Sequence, residues 1–295
     1  MKVAIAGASG FVGTALSAAL ATRGDTIVRI GRGAGSDVQW DPAAGMLDPS
    51  ALEGVDAVVN LAGATIAARW THAHKRAILE SRVNGTRLLA GRCAKLERKP
   101  GVLVCGSAIG IYGSRGDEWL DEASAPGDDF LAGVVRAWEA AAAPARDAGI
   151  RVVFLRTGLV LNPRGGALAK MLLPFQLGVG GRIGSGKQWM SWISLTDLVG
   201  AVRFVLDTPG IAGAVNAVAP EPVTNSTFTA TLARILRRPS VVPVPALALR
   251  TLLGEMAEGT VLASQRVRAT VLEPSGFEFR HPTLSSALRF ELGER

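Results

Sequence analysis

Three glycines near the start of the chain constrain its fold more than any other feature. They lie in Gly7-Ala8-Ser9-Gly10-Phe11-Val12-Gly13. An apolar run, Lys2-Val3-Ala4-Ile5-Ala6, precedes them and predicts a strand over Val3–Gly7. Phe11–Thr22 follows and predicts a helix. In that setting each glycine has a physical task. Gly7 permits a tight turn. Gly10 lets main chain approach a pyrophosphate with no Cβ in the way. Gly13 lets the helix lie close against the strand. The first turn of the helix then offers free N–H groups and the positive end of its dipole to phosphate. A glycine triplet between a strand and a helix predicts dinucleotide binding, against the plainer reading of a structural turn. The candidate cofactor-binding residues here are Gly7, Ser9, Gly10, Phe11, Val12 and Gly13.

The second strand, Ile27–Ile30, runs into Gly31-Arg32-Gly33. An NAD enzyme usually carries a carboxylate at this point for the ribose 2′-hydroxyl. Here there is none, and Arg32 offers a guanidinium that suits a 2′-phosphate. Gly31 and Arg32 therefore predict NADP(H) over NAD(H). The plainer reading of Arg32 is a solvated loop residue.

The first part of the chain alternates strand-like and helical segments. Strands are expected at Ala57–Ala62, Val102–Ser107 and Val152–Thr157, and helices over a long polar stretch ending near Leu96 and over Phe130–Ala143. Runs such as Val152-Val153-Phe154-Leu155 are apolar on successive residues, which calls for cover on both faces of a sheet. The fold class is therefore α/β, a Rossmann-type doubly wound parallel sheet, spanning about 1–162. From 163 to 295 a smaller C-terminal α/β lobe is expected, interleaved with the core. Gly165-Gly166 and the run Gly178–Gly186 predict mobile or tightly turned backbone there. Trp189–Ile193 predicts a short strand, and Leu195–Leu206, Phe228–Leu236 and Ala246–Met256 predict helices.

The 295 residues carry Lys+Arg 32 against Asp+Glu 25, a net charge of +7. The arginines are scattered, without interleaved aromatics, so the excess does not point to nucleic acid. Cys93 and Cys105 lie in no C-x-x-C pair and read as free core thiols of a reducing compartment. The chain opens directly into a strand, and no apolar stretch reaches the ~18 residues a membrane span needs. A cytoplasmic protein with no membrane partner, monomeric or homodimeric, is expected. No His/Cys/Asp cluster has metal-ligand spacing.

Taken together these motifs resemble the extended short-chain dehydrogenase/reductase superfamily over nearly the whole chain. Asn60-Leu61-Ala62-Gly63 resembles the segment lying along the adenine and ribose. Ser107-Ala108-Ile109-Gly110-Ile111-Tyr112-Gly113 resembles the serine strand end with its Tyr-Gly pair, and Asp197 the usual structural aspartate of the second lobe. Arg69-Trp70-Thr71, Ser81-Arg82, Leu155-Arg156-Thr157-Gly158, Met171–Phe175 and Gly184–Gln188 are similar to an atypical subgroup labelled epimerase family protein or cell-division-inhibitor-like oxidoreductase. So is a C-terminal segment of unknown function from about Val241. The resemblance implies cofactor contacts at Gly31, Arg32, Leu61, Ala62, Gly63, Arg82 and Ser107, and along the turn from Thr157 to Val160. Arg82 stands where extended members usually carry asparagine, and its plainer reading is a solvated helical arginine.

Ordinary members of that superfamily use Tyr-x-x-x-Lys on one helix. The lysine lowers the phenol pKa, so the tyrosine exchanges protons near neutral pH. This chain has a single tyrosine, Tyr112, and Gly116 lies four residues on. If Glu139 matches the usual glutamate, Leu131 and Val135 replace the dyad. Ser107 and Tyr112 are the remaining catalytic candidates, the serine to hold a substrate carbonyl and the tyrosine to give a proton. Tyr112 reads equally as a structural residue in the turn. His72, His74 and His281 read as surface residues rather than general bases. Trp189 and Trp192 are expected either in a cleft between the lobes or in the core. Two functions remain open, an NADP(H)-dependent oxidoreductase or epimerase with rebuilt acid–base chemistry on an unknown small molecule, and a non-catalytic NADP(H)-binding sensor.

Overall fold

The computed structural model describes residues 1–294. In chain order its elements begin with β1 (Lys2–Ala6), α1 (Phe11–Thr22), β2 (Thr26–Gly31), β3 (Val38–Asp41), β4 (Met46–Leu47) and β5 (Ala57–Asn60). Next come α2 (His72–Cys93), β6 (Val102–Ala108), β7 (Trp119–Leu120), α3 (Phe130–Ala140), α4 (Ala143–Asp147), β8 (Arg151–Thr157) and β9 (Leu159–Leu161). The second half holds α5 (Gly166–Gln176), β10 (Trp189–Met190), β11 (Trp192–Ser194), α6 (Leu195–Asp207), β12 (Gly213–Ala217) and β13 (Val223–Thr224). It ends with α7 (Asn225–Leu236), α8 (Ala246–Leu253), α9 (Glu255–Gly259), β14 (Arg266–Val267) and α10 (Leu284–Leu292).

Eight strands form the main sheet in the order β12-β8-β6-β5-β1-β2-β3-β4. Neighbours are parallel except β3 and β4. The strand order reverses about β1, the arrangement of a doubly wound sheet. All four residues of β5 are buried, as double cover by helices requires. One core lies under α1 and α6 and includes Val3, Ile5, Leu16, Leu20, Val104 and Val202. A second lies under α2 and α4, where Leu89 and Cys93 meet Ala4, Val58 and Leu103.

Local sequence starts the helices. Thr71 Oγ1 accepts from His74 N, Asp129 from Ala132 N and Ser194 from Asp197 N, capping α2, α3 and α6. Helix α1 differs, because Gly10 supplies no side-chain cap. Its first turn lies so close to the preceding loop that a Cβ on Gly13 would stand 2.1 Å from the Gly7 carbonyl oxygen.

Several elements depart from the sequence reading. Helix α5 had no sequence expectation; Gly165 and Gly166, the latter at φ +68°, make the tight turn that opens it. Gly165 lies against the Phe11 ring, where a Cβ would fall 2.6 Å from Cδ2. The strand expected at Trp189–Ile193 is two, β10 and β11, pairing with β13 and β9 in separate small sheets. Buried Ser191 divides them, donating to Gln265 O at 2.8 Å and accepting from Val267 N at 2.9 Å. The helix expected over Phe130–Ala143 stops at Ala140, and Pro144 opens α4. The helix expected to Met256 breaks at Gly254, whose φ of 62° closes α8. Strand β12, which completes the large sheet at one edge, had no sequence expectation. The chain beyond 162 thus builds α5, returns to the main sheet at β12, and then adds α7 and α10 to complete the smaller lobe around Trp192 and Phe228. No helix among the described residues is long and apolar enough to cross a membrane.

Both cysteines are buried, and burial pushes the Cys93 thiol up to about 12 and the Cys105 thiol up as well. An aromatic disulfide reagent at pH 8 should therefore label no thiol in the native protein and two after unfolding; fast native labelling would contradict the packing. The Gly13 contact gives a second expectation. Gly13→Ala should lift α1 from the loop and destabilise the fold by about 1–3 kcal/mol, read by denaturant unfolding.

Candidate functional site

The loop between β1 and α1 is built from main chain alone. Gly7 adopts φ +84°, and a Cβ on it would lie 2.9 Å from Ala62 N. Gly10 N donates to Gly7 O at 2.9 Å. The first helical bond runs from Thr14 N to Gly10 O at 2.8 Å, so the N–H groups of Phe11, Val12 and Gly13 are left free. Ser9 is exposed at the tip. These free donors and the positive end of α1 form an anion cradle at the C-terminal edge of the sheet.

Facing it, the turn after β5 is fixed by a buried polar chain. Trp138 Nε1 and Asn60 Nδ2 both donate to Thr86 Oγ1, at 2.8 and 2.9 Å. Asn60 Oδ1 accepts from Ala62 N at 3.2 Å, which sets the course of Leu61, Ala62 and Gly63. Arg82 closes this side. Its Nη1 donates to Ala64 O at 3.0 Å and Ile78 O at 3.1 Å, and its guanidinium stands 5.1 Å from the Trp138 ring centroid. A Cβ on Gly63 would lie 3.2 Å from Arg82 Cζ. Arg82 is therefore a packed cation and not a solvated helical one. Burial pushes its guanidinium down to about 10, and no carboxylate among the described residues pairs with it. At the end of β2, Arg32 is exposed and likewise has no carboxylate partner, while Gly31 closes the strand.

The strand ends beyond β5 carry a second polar cluster. Ser107 Oγ donates to Glu139 Oε1 at 2.7 Å. Arg156 grips the same carboxylate with two bonds, Nε to Oε1 at 2.9 Å and Nη2 to Oε2 at 3.0 Å. Arg156 Nη1 also donates to Tyr112 Oη at 3.1 Å, and that phenol donates to Asn216 Oδ1 at 2.7 Å. The Arg156 and Glu139 side chains are only 10% and 14% exposed, so each charge depends on the other. Burial alone would depress Arg156, but the hydrogen bonds and charge of Glu139 outweigh it and hold its pKa raised. Burial raises the Tyr112 phenol, with Arg156 opposing. Tyr112 is fully buried, and both partners of its hydroxyl are protein groups. It is a bracket between β8 and β12, with its proton directed at Asn216 Oδ1. Ser107 keeps its lone pairs, but its proton is directed at Glu139.

The face that would carry Tyr-x-x-x-Lys is apolar. Val135 is buried in the main core beside Tyr112. Leu131 joins a small cluster with Trp70, Phe130 and Met256, and the Trp70 and Phe130 rings meet edge to face at 5.0 Å. Thr157 and Val160 flank Gly158, where a Cβ would meet Ser191 O at 2.6 Å, so this turn presses against the second lobe. Trp192 is core and lines no cleft, and Trp189 stacks on Arg266 at 4.0 Å. Asp197 is buried and accepts from Arg280 N and His281 N at 2.8 and 3.1 Å. His72 is exposed, while His74 and His281 are half-buried, each with an unpartnered Nε2. No group of metal-ligating side chains occurs among the described residues. The sequence reading assigned no role to Thr86, Trp138 or Asn216. Their signal is weak, because one polar atom in an apolar element looks like any tolerated substitution.

Comparison with known proteins places this geometry. Residues 3–217 match the model of the NAD dependent epimerase/dehydratase family, and residues 244–291 match a domain of unknown function, DUF1731. An epimerase family protein of Mycobacterium tuberculosis, MT2273, is 43% identical over 292 residues, 98% of this chain and 96% of its own. The crystal structure of human epimerase family protein SDR39U1 with NADPH superposes with a TM-score of 0.92 at 34% identity, covering 100% of both chains. A nucleoside-diphosphate sugar epimerase of Corynebacterium glutamicum gives a TM-score of 0.82 at 39% identity, covering 99% of this chain and 58% of that one. With its glycine loop, its Rossmann sheet and these relatives, the chain belongs to the NAD dependent epimerase/dehydratase family.

Proposed function

We propose that this protein is a cytoplasmic NADP(H)-binding oxidoreductase or epimerase of short-chain dehydrogenase type, acting on a small molecule without a tyrosine–lysine dyad. The observation that carries the reading is the uncapped start of α1, three free N–H groups aimed past Gly7 and Gly10. Two cations without carboxylate partners, Arg32 and Arg82, stand near the ends of β2 and β5 and suit the phosphates of NADP(H). Gly7, Ser9, Gly10, Phe11, Val12 and Gly13 hold the pyrophosphate in this reading. Gly31 and Arg32 take the 2′-phosphate. Leu61, Ala62, Gly63 and Arg82 line the adenine and ribose side, and Ser107, Thr157 and Val160 border the nicotinamide. The human relative crystallised with NADPH supports the phosphorylated cofactor over NAD(H). When bound, the cofactor supplies or removes hydride. Ser107, its proton on Glu139, orients the substrate hydroxyl that carbonyl reduction forms, or alcohol oxidation consumes, by accepting its hydrogen bond.

A second reading, a sensor that binds NADP(H) without turnover, is favoured by one specific observation. The hydroxyls of both catalytic candidates, Ser107 and Tyr112, are already bonded to protein side chains.

Thermal unfolding with NADPH, NADP+, NADH and NAD+ at matched concentrations tests the cofactor. Stabilisation should follow the two phosphorylated forms, about 2.7 kcal/mol at 100 times the dissociation constant. Arg32→Ala should weaken NADPH by about 10–100-fold and leave NADH unchanged, as loss of a charged hydrogen bond predicts. Equal shifts with all four would refute the assignment.

Substitutions at the polar cluster separate the two readings. Tyr112→Phe should cost about 1–3 kcal/mol of stability by leaving Asn216 Oδ1 unpaired, with NADPH affinity unchanged. Steady-state NADPH oxidation with a carbonyl panel should fall in Ser107→Ala and persist in Tyr112→Phe. Tight NADPH binding with no turnover on any carbonyl would favour the sensor.

A further inference from the structure

On the flank of α1 that faces α6, a cavity of about 370 Å³ opens between the two helices and the segment 277–280. It is built apart from the glycine loop, and its walls divide by chemistry. Ala15 and Ala19 of α1, Val199 of α6 and the Phe277 ring make the apolar part. Small residues leave the space open, since Gly200 adds no side chain and its nearest neighbour would be Phe277 at 3.5 Å from a Cβ. The ring is held in place by Phe204 and Phe279, at centroid distances of 5.5 and 4.8 Å.

The polar part holds two arginines and two carboxylates, Asp197 and Glu278. Arg203 and Arg280 both line the cavity, and neither pairs with a carboxylate among the described residues. Arg203 Nε is buried without any hydrogen-bond partner. A buried donor left so costs free energy until something accepts from it. Asp197 is buried, accepts from Ser194 Oγ, Arg280 N and His281 N, and makes no ion pair with either arginine among the described residues. Glu278 is exposed at the rim and makes no ion pair.

We propose that this cavity is a second ligand site, which takes a small amphipathic anion. An aromatic or aliphatic body lies against Ala15, Ala19, Val199 and Phe277, and a carboxylate or comparable single anionic group is held by Arg203 and Arg280. The volume falls within the range of small-molecule sites, and apolar and polar groups share the lining, as an amphipathic ligand requires. Glu278 at the rim disfavours ligands with a second negative charge near the mouth.

The test is isothermal titration of the full chain with sodium 1-naphthoate, run with and without NADPH, beside the neutral probe 1-naphthamide. One saturable site should appear in both runs, and the amide should bind at least tenfold more weakly. Arg203→Gln should weaken naphthoate about tenfold or more, as loss of a charge-assisted bond predicts. Arg280→Gln, at an exposed position, should weaken it likewise without affecting folding, and NADPH affinity should be unchanged in both variants. No saturable uptake at millimolar naphthoate, equal binding of acid and amide, or full affinity in both arginine variants would each overturn the site. Naphthoate binding that NADPH abolishes would place the probe in the cofactor groove and overturn it too.

Discussion

The approach of main chain to main chain at Gly7 governs the molecule. The loop there touches the turn after β5 on one side and the first turn of α1 on the other, at distances no Cβ survives. That contact fixes where α1 begins, and therefore which faces of α1 meet the sheet and α6. Gly10, at the N-cap, has no side chain to cap the helix, so the helix keeps its free donors. A capped helix would have satisfied them internally, as Thr71, Asp129 and Ser194 do elsewhere in the chain. The empty first turn of α1 is thus the same feature seen twice, as close packing and as an anion site.

A second constraint organises the other strand ends. Glu139, Arg156, Tyr112 and Asn216 join α3, β8, the turn after β6 and β12 through hydrogen bonds in a mostly buried place. Glu122 extends the chain, accepting from the main-chain N–H groups of Asn216, Thr270 and Val271. Such a network tolerates no vacancy, because removing one member leaves a buried charge or donor unpaired. It ties the edge strand β12 and the C-terminal segment to the core. That is why residues far apart in the chain act as one unit there.

Much of this was legible in the sequence, and the limits are physical. Helix α1 begins and ends where its pattern predicted, because a glycine turn and an alanine- and leucine-rich run define it locally. The strands β1, β6 and β8 were legible as continuous apolar runs. Strand β12 was not. Its Gly213-Ala214-Val215-Asn216-Ala217 is short, with small residues and one polar one, and only pairing with β8 makes it a strand. Helix α5 was hidden by two glycines before it and Pro174 inside it, signals of turns that tertiary packing against Phe11 overrides. Among site residues, the phosphate loop was readable because its chemistry is sequential. The roles of Ser107 and Tyr112 were not, because their partners Glu139 and Asn216 lie 32 and 104 residues away.

The absence of the usual dyad is built into this packing and is not a matter of two altered side chains. Val135 shares the main core with Ile111, Tyr112 and Leu120. A lysine there would bring an ammonium into that core, where the nearest carboxylate, Glu139, is already held by Arg156 and Ser107. A tyrosine at 131 would have to displace the cluster of Trp70, Phe130 and Met256 that closes over α3. The cofactor half of the fold is indifferent to either change, since its donors are main-chain groups on α1 and its bracing runs through Thr86. The anion cradle at α1 and the polar cluster around Ser107 therefore rest on separate hydrogen-bond systems. They meet along α3, where Trp138 braces the cofactor turn and Glu139, the next residue, anchors Ser107.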